Sequence, residues 1–399
     1  MSADWYPDNE FELFENGDAL FPAMDEAISK AQHQVLAETF ILFEDRVGLW
    51  IQGALIGAAR RGISVDLMVD GYGSDGLSQD FLAAMVEAGV RVHQFDPKPR
   101  LLGMRTHMFR RLHRKLLVVD DEIAFIGGIN FSEDHLTDFG DQAKQDYAVS
   151  VRGPLCSHMG AFMRQALKGP QRREPRNRGT AAPEEDGIGK LLVRDNHRHR
   201  DDIERAYRMS LRAANHDVLI ANAYFFPGYR LLRDMAKAAR RGVRVRLILQ
   251  GAFDLRVARI AANMLYEYLL DAGVEIYEYC RRPLHAKVAC FDDDWAMVGS
   301  SNLDPFSLAF NLEANVIVRD HSLNWALRQN LDHLLTDDCS RMPRAEGVKG
   351  QLRRMWTGVV VYHILRRFPA WTGSLPAHKP HLEQVVLEPE AQNPEGKQA

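Results

Sequence analysis

A chain of 399 residues is longer than one ordinary core fills, so two domains or one large duplicated unit are expected. Its 46% hydrophobic and 26% charged residues are ordinary for a soluble globular protein, and a formal charge of −4 offers no overall attraction to a polyanion, which weighs against a sequence-nonspecific nucleic-acid binder. Four scattered cysteines, Cys156, Cys280, Cys290 and Cys339, form no C-x-x-C pair and suit a reducing, intracellular compartment better than a disulfide framework or a zinc site.

The acidic start, MSADWYPDNEFELFENG, lacks an apolar run and predicts neither a signal peptide nor a transit peptide. No stretch reaches the roughly 18–20 continuous apolar residues of a spanning helix. VLAETFILF (35–43) reads as a strand, and residues 47–61 carry Val47, Trp50, Ile51, Ala54, Leu55 and Ala58 at the spacing of one helix face. Gly62 then opens an alternating run to Val69, a second strand. The segment 97–115 interleaves Leu101, Leu102, Met104, Met108 and Phe109 with Arg100, Arg105, Arg110 and Arg111, which predicts a basic, apolar lip running into His113. Residues 169–187, rich in proline, glycine and charge, read as a surface linker.

Beyond that linker the chain repeats itself. VLAETFILF answers to VLIANAYFF (218–226), AARRGISVDLMVDG (58–71) to AARRGVRVRLILQG (238–251), EAGVRVHQF (87–95) to DAGVEIYEY (271–279), and HRKLLVVDDEIAFIGGIN (113–130) to HAKVACFDDDWAMVGSSN (285–302). Each unit reads as strand, helix, strand, helix, strand and a terminal hairpin, so the expected fold is α/β, with a mixed, mostly parallel sheet in each half. The expected boundaries are 1–168 for the first half, 169–188 for the linker, 189–345 for the second half and 346–399 for a tail. In the tail, 348–371 has an apolar centre between arginines, bracketed by Trp356 and Trp371. It predicts an interfacial helix, with packing as a terminal helix the alternative, and the acidic end after it reads as disordered.

The repeated unit ends in His-x-Lys-x4-Asp and, six residues on, Gly-[Gly/Ser]-x-Asn. The residues are His113, Lys115, Asp120, Gly127, Gly128 and Asn130, then His285, Lys287, Asp292, Gly299, Ser300 and Asn302. Alternation along a strand points His113 and Lys115 the same way, and likewise His285 and Lys287. The aspartate turn then returns the chain and brings Asn130 or Asn302 back beside them. Two such halves facing one another offer two imidazoles, two ammoniums (Lys115, Lys287) and two amides (Asn130, Asn302) to a phosphoryl group. One histidine attacks phosphorus, while the other protonates the leaving oxygen and deprotonates the incoming one. Asp120 and Asp292 complete the catalytic motif from structural positions beyond the strand. Asp146 and Glu313, each opening an apolar strand, are the candidates for orienting the histidines, against the plainer reading of strand-edge ion pairs. Glu38 and Asn222 are candidates for supporting places behind the site. His93, His107, His135, His197, His199, His216 and His378 lack such a pattern and read as surface or structural. No metal-ligand cluster and no cofactor motif is found.

These residues resemble the HKD motifs of the phospholipase D superfamily, over about residues 10 to 340. The resemblance implies two duplicated α/β/α halves packed by a pseudo-twofold axis, a phosphohistidine on one motif histidine, and no metal or other cofactor. Within the superfamily the chain is most similar to bacterial cardiolipin synthases of the B type, through ETFILFEDRVG, RLHRKLLVVDDEIAFIGGIN, ANAYFFPGY and GSSNLDPFSLAFNLEAN. Phe306 stands where much of that family has arginine, which bears on head-group or acceptor recognition. The implied substrate is phosphatidylglycerol, two molecules giving cardiolipin and glycerol. The implied setting is peripheral, on the cytoplasmic face of a bacterial inner membrane, with no nucleic-acid partner. A hydrolase or nuclease using water as acceptor is the alternative, and a catalytically dead lipid-binding duplicate is disfavoured because both motifs are complete.

Overall fold

The computed structural model describes residues 5–97, 100–101, 104–105, 110–168, 185–196, 198–251, 265–304, 307–308, 310–344 and 381–386. Phe306, most of the 169–188 linker and the 348–371 segment lie outside the described residues, as do His107, His197 and His378. The first half contains β1 (Glu10–Glu15), α1 (Gly17–Lys30), β2 (Gln34–Thr39), α2 (Arg46–Arg60), β3 (Ser64–Asp70), α3 (Gln79–Glu87), β4 (Arg91–Phe95), β5 (Leu116–Val119), β6 (Ile123–Gly127), β7 (Tyr147–Arg152) and α4 (Pro154–Leu167). The second contains β8 (Ile188–Arg194), α5 (Asp202–Ala213), β9 (Asp217–Asn222), α6 (Tyr229–Arg240), β10 (Arg244–Gln250), β11 (Glu275–Tyr279), β12 (Lys287–Phe291), β13 (Trp295–Gly299), β14 (Glu313–Arg319), α7 (His321–Asp337) and β15 (Cys339–Arg341).

Each half builds an eight-stranded sheet. Adding a last strand β16 (Leu382–Gln384), the orders are β1-β7-β6-β5-β2-β3-β4-β16 and β8-β14-β13-β12-β9-β10-β11-β15. The sheets are mixed, as expected, but parallel pairing is confined to β2-β3-β4 and to β9-β10-β11. The expectation of mostly parallel sheets is therefore corrected. The motif hairpin β5-β6 folds straight back on itself, and β7 and β1 are added antiparallel beyond it. Hairpins give antiparallel neighbours, and only the helical crossovers give parallel ones. At the start of the acidic tail Leu382–Gln384 pairs with β4 and the N–H of His381 reaches the Asp96 carboxylate, while residues 387–399 lie outside the described residues.

Helix α2 shows how the repeat makes its elements. Asp45 accepts the Gly48 N–H at its start, and Gly62, at φ 86°, ends it in a left-handed conformation that glycine adopts without strain. Val47, Ile51, Leu55 and Ala58 are buried, while Trp50, expected on the same face, is 37% exposed. Burying each of the larger aliphatic side chains contributes about 1.5–3 kcal/mol. Strands β5 and β12 are buried on both faces: Leu117 and Val119 face the helices of their own half, whereas Leu116 and Val118 join Val288, Cys290 and Val316 in a core that runs through both halves. That shared core fixes one motif against the other.

Candidate functional site

The two motifs are interlocked before any side chain is considered. The His113 N–H donates to the carbonyl of Leu312 (2.9 Å), and the Leu312 N–H donates back to the carbonyl of Arg111 (2.8 Å). The pattern recurs by pseudo-symmetry, with His285 N–H to Gln145 carbonyl (2.8 Å) and Gln145 N–H to Pro283 carbonyl (2.9 Å). Leu312 and Gln145 each precede a candidate orienting carboxylate. The residue before each histidine is pinned as well: the Asp70 carboxylate accepts the N–H of Leu112 (2.7 Å), and the Gln250 side chain accepts that of Leu284 (2.5 Å). Asp70 and Gln250 occupy matching places in VDG and LQG, a signal that a register comparison of the repeats would have exposed.

The same strand ends then take the imidazoles. His113 Nδ1 lies 3.0 Å from Glu313 Oε2, and His285 Nδ1 lies 2.5 Å from Asp146 Oδ2. Each histidine is therefore matched to a carboxylate of the other half. All four groups are largely or fully buried. An Nδ1–H held by a carboxylate leaves the lone pair on Nε2, which suits the ring to attack or to accept a proton.

The [Gly/Ser] position of the motif makes the two pairs unequal. A Cβ at Gly128 would lie 2.3 Å from Asp146 Oδ1, so only glycine leaves room there. In the other half the Ser300 hydroxyl donates to Glu313 Oε2 (2.5 Å), and the Asn311 amide donates to Oε1 (3.2 Å).

Lys115 Nζ donates to the His113 carbonyl (2.7 Å), and Lys287 Nζ donates to the His285 carbonyl and stands 3.7 Å from Asp146 Oδ2. The side-chain oxygen of Asn130 accepts the Ile41 N–H (3.3 Å), while the side-chain oxygen of buried Asn302 has no hydrogen-bond partner among the described residues. Asp120 and Asp292 stand at the far ends of β5 and β12. Each accepts three backbone N–H groups, from Gln32, His33 and Gln34 and from Asn215, His216 and Asp217, at 2.6–3.0 Å. Glu38 forms a buried ion pair with Arg114, the residue after His113, rather than a contact with either histidine ring. Asn222 pairs in register with Lys287, and its side-chain oxygen accepts the Leu303 N–H (3.1 Å).

His135, expected at the surface or in a structural place, is fully buried, with its ring edge-on to His285 at 5.5 Å between centroids. One ligand-capable atom from each of His135, Asp146 and His285 lies within 4.8 Å of the others, a grouping that could hold a metal ion. The three come from separate stretches of chain, so no local spacing reveals them.

Burial pushes both histidines below the ordinary imidazole range. For His113 the push is opposed by Glu313, while for His285 it is reinforced by Lys287, Lys144 and Lys115 and goes well below. Burial also lowers Lys115 to about 7 and Lys287 to about 8, against the pull of Glu313 and Asp146. For Glu313 the upward push of burial is outweighed by His113, Lys115 and the Ser300 hydroxyl, so it stays below the usual range. For Asp146 burial outweighs Lys287 and His135, so it lies above. Two neutral imidazoles and two ammoniums held in want of an anion suit a centre that receives a phosphate ester.

The family model described as cardiolipin synthase, PLD-like domain, matches residues 24–155 and 207–335, one match in each half. The chain belongs to this family. It is 50% identical to cardiolipin synthase B of Salmonella typhi over 390 residues, covering 96% of this chain and 94% of the relative. It is 48% identical to cardiolipin synthase B of Escherichia coli (strain K12), with the same coverage of each. Cardiolipin synthase A of Pseudomonas putida (strain GB-1) is 28% identical over 332 residues, 83% of this chain and 68% of the relative. Among solved structures, phosphatidylserine synthase from Haemophilus influenzae Rd KW20 superposes with a TM-score of 0.66 at 12% identity, covering 92% of this chain and 95% of the other. Polyphosphate kinase from Porphyromonas gingivalis reaches 0.59 at 15% identity, covering 92% and 54%. At these identities the structural likeness shows the fold alone, and it is the PLD-like fold of two duplicated halves.

Proposed function

We propose that this member of the cardiolipin synthase, PLD-like domain family transfers a phosphatidyl group from one phosphatidylglycerol to the hydroxyl of a second, forming cardiolipin and glycerol. In the first step Nε2 of one histidine bonds to phosphorus, the P–O bond to glycerol breaks, and the other histidine, which enters the step with a proton taken up on Nε2, gives it to that oxygen. In the second, that histidine takes the proton of the incoming hydroxyl as its oxygen bonds to phosphorus and the P–N bond breaks. Lys115, Lys287, Asn130 and Asn302 hold the non-bridging oxygens while charge builds on them. The observation that carries the proposal is the reciprocal pairing His113–Glu313 and His285–Asp146, which orients both rings within reach of two buried lysines. Near-full-length likeness to proteins named cardiolipin synthase B supports the choice of substrate and acceptor.

The proposal includes peripheral attachment to the cytoplasmic face of a bacterial inner membrane. Among the described residues no helix is long and apolar enough to cross a membrane. Exposed Phe43, Tyr72 and Tyr224 follow the carboxyl ends of β2, β3 and β9, the ends at which the histidines lie, and are suited to a lipid surface. The test is incubation of the purified protein with vesicles of phosphatidylglycerol and identification of products by mass. Cardiolipin and glycerol in equal amounts are expected. Phosphatidic acid and glycerol without cardiolipin would make water the acceptor and overturn the proposal.

A further inference from the structure

His135 lies in the stretch between β6 and β7, EDHLTDFGDQAKQ, which is longer than its counterpart in the second half. It is fully buried, and its Nε2 accepts the Asn130 N–H at 3.2 Å. Its Nδ1 has no hydrogen-bond partner among the described residues. A buried imidazole nitrogen left in that state loses its water without a replacement partner and calls for a reason. One ligand-capable atom from each of His135, Asp146 and His285 lies within 4.8 Å of the other two. Metal bonds of about 2.0–2.2 Å place tetrahedral donors roughly 3.4 Å apart, so closing the three around an ion needs separations of up to 4.8 Å to shorten by up to about 1.4 Å, while His285 Nδ1 and Asp146 Oδ2, now 2.5 Å apart, part by about 0.9 Å. Two imidazoles and one carboxylate with a position left open is the donor set that zinc and its neighbours prefer.

We propose that His135, Asp146 and His285 form a binding site for a borderline divalent transition metal such as zinc, and that filling it stops the phosphatidyl transfer. The ion replaces the proton shared by His285 and Asp146 and gains His135 as a third ligand, in exchange for the long contact between His135 and the Asn130 N–H. Lys287 beside Asp146 opposes a second positive charge, which makes the binding reversible. Inhibition rests on the proposed role of His285, whereas binding does not.

The experiment uses the full chain stripped of metal and titrated with cobalt(II) chloride. Visible d–d absorption should grow to one equivalent and vanish when zinc chloride is added. His135→Ala should remove it, and His135→Cys should restore it with a thiolate charge-transfer band. Saturating zinc should slow the unmodified protein at least about tenfold, since an acid–base group contributes roughly 10²–10⁴, and should leave the rate of His135→Ala within about twofold of its own metal-free value. If His135→Ala does not fold, zinc protection of His285 from diethyl pyrocarbonate, mapped by mass, decides. Unchanged cobalt bands in folded His135→Ala, equal zinc inhibition of both proteins, or no protection would each overturn the site. Cobalt binding as expected with no transfer by the metal-free protein would leave the site standing and remove the proposed function instead.

Discussion

His113 and Glu313 are 200 residues apart in sequence and 3.0 Å apart in space, Nδ1 to Oε2. His285 and Asp146 repeat the relationship in the opposite sense. Each histidine ring meets a carboxylate of the other half, so duplication here means mutual dependence. Glu313→Gln keeps the shape but removes the acceptor that fixes the ring's proton on Nδ1. Turnover should fall by about 10²–10⁴-fold with little change in KM, and Asp146→Asn should do the same. An effect on KM alone would show that these carboxylates hold substrate rather than histidine.

Asp120 and Asp292 belong to the motif by spacing and to the scaffold by position. Each accepts three backbone N–H groups where the chain enters β2 or β9. Asp120→Ala should lower stability by about 1–3 kcal/mol, the scale of a lost charge-assisted contact, while the folded fraction keeps most of its turnover. Thermal melting and rate per folded molecule, measured together, separate this from a catalytic role.

The lysines give a pH signature. Lys115 is lowered to about 7 and Lys287 to about 8, against an ordinary value of about 10.4. An oxyanion favours the ammonium and raises both again. Between the free and bound values the complex holds more protons than the free protein, so binding takes protons up. Affinity should then fall as pH rises above about 7, by up to about tenfold per pH unit for each lysine. Calorimetry with tungstate at pH 8, in two buffers of different ionisation enthalpy, should show proton uptake. Proton release would overturn the assignment of these ammoniums to the phosphate.

Much of this was legible in the repeat. A motif present twice at matched places fixed the hairpins, the paired histidines and lysines, and the candidates Asp146 and Glu313. What could not be read was which carboxylate meets which histidine, because nothing local in a sequence distinguishes a contact within a half from one across it. The place of His135 could not be read for the same reason, since the ring beside it, His285, comes from the other half. Glu38 was misplaced because the alternation that aims Lys115 at the site aims Arg114, its partner, away. The sheets proved less parallel than the strand–helix rhythm suggested because the motif hairpin and β7 add antiparallel strands without any helix between them.

Chelation is a simple check on the chemistry. In the proposed mechanism Lys115, Lys287 and the asparagine amides meet the charge on the phosphoryl group, so excess EDTA should not lower turnover. A loss in EDTA that zinc or magnesium restores would replace this mechanism with a metal-assisted one.

The two histidines should differ in role, because their partners differ. Glu313 receives the Ser300 hydroxyl and the Asn311 amide and stays below the usual carboxylate range, so His113 faces an ionised acceptor. That charge strengthens Nε2 as a nucleophile and stabilises the positive ring of a phosphohistidine. Asp146 faces Gly128 instead of serine and is pushed up by burial, and His285 lies among Lys287, Lys144 and Lys115 with its pKa well below normal. Once protonated it is a strong acid, suited to the departing glycerol oxygen. His113→Ala and His285→Ala should each lower turnover at least roughly a hundredfold with phosphatidylglycerol. A donor whose leaving group needs no proton separates them. With it, His285→Ala should still form a phosphoenzyme, which accumulates because nothing deprotonates the acceptor, and His113→Ala should form none. Peptide mapping of the trapped group should find it on His113. Finding it on His285 would reverse the assignment, and finding no covalent intermediate with any donor would count against a two-step transfer altogether.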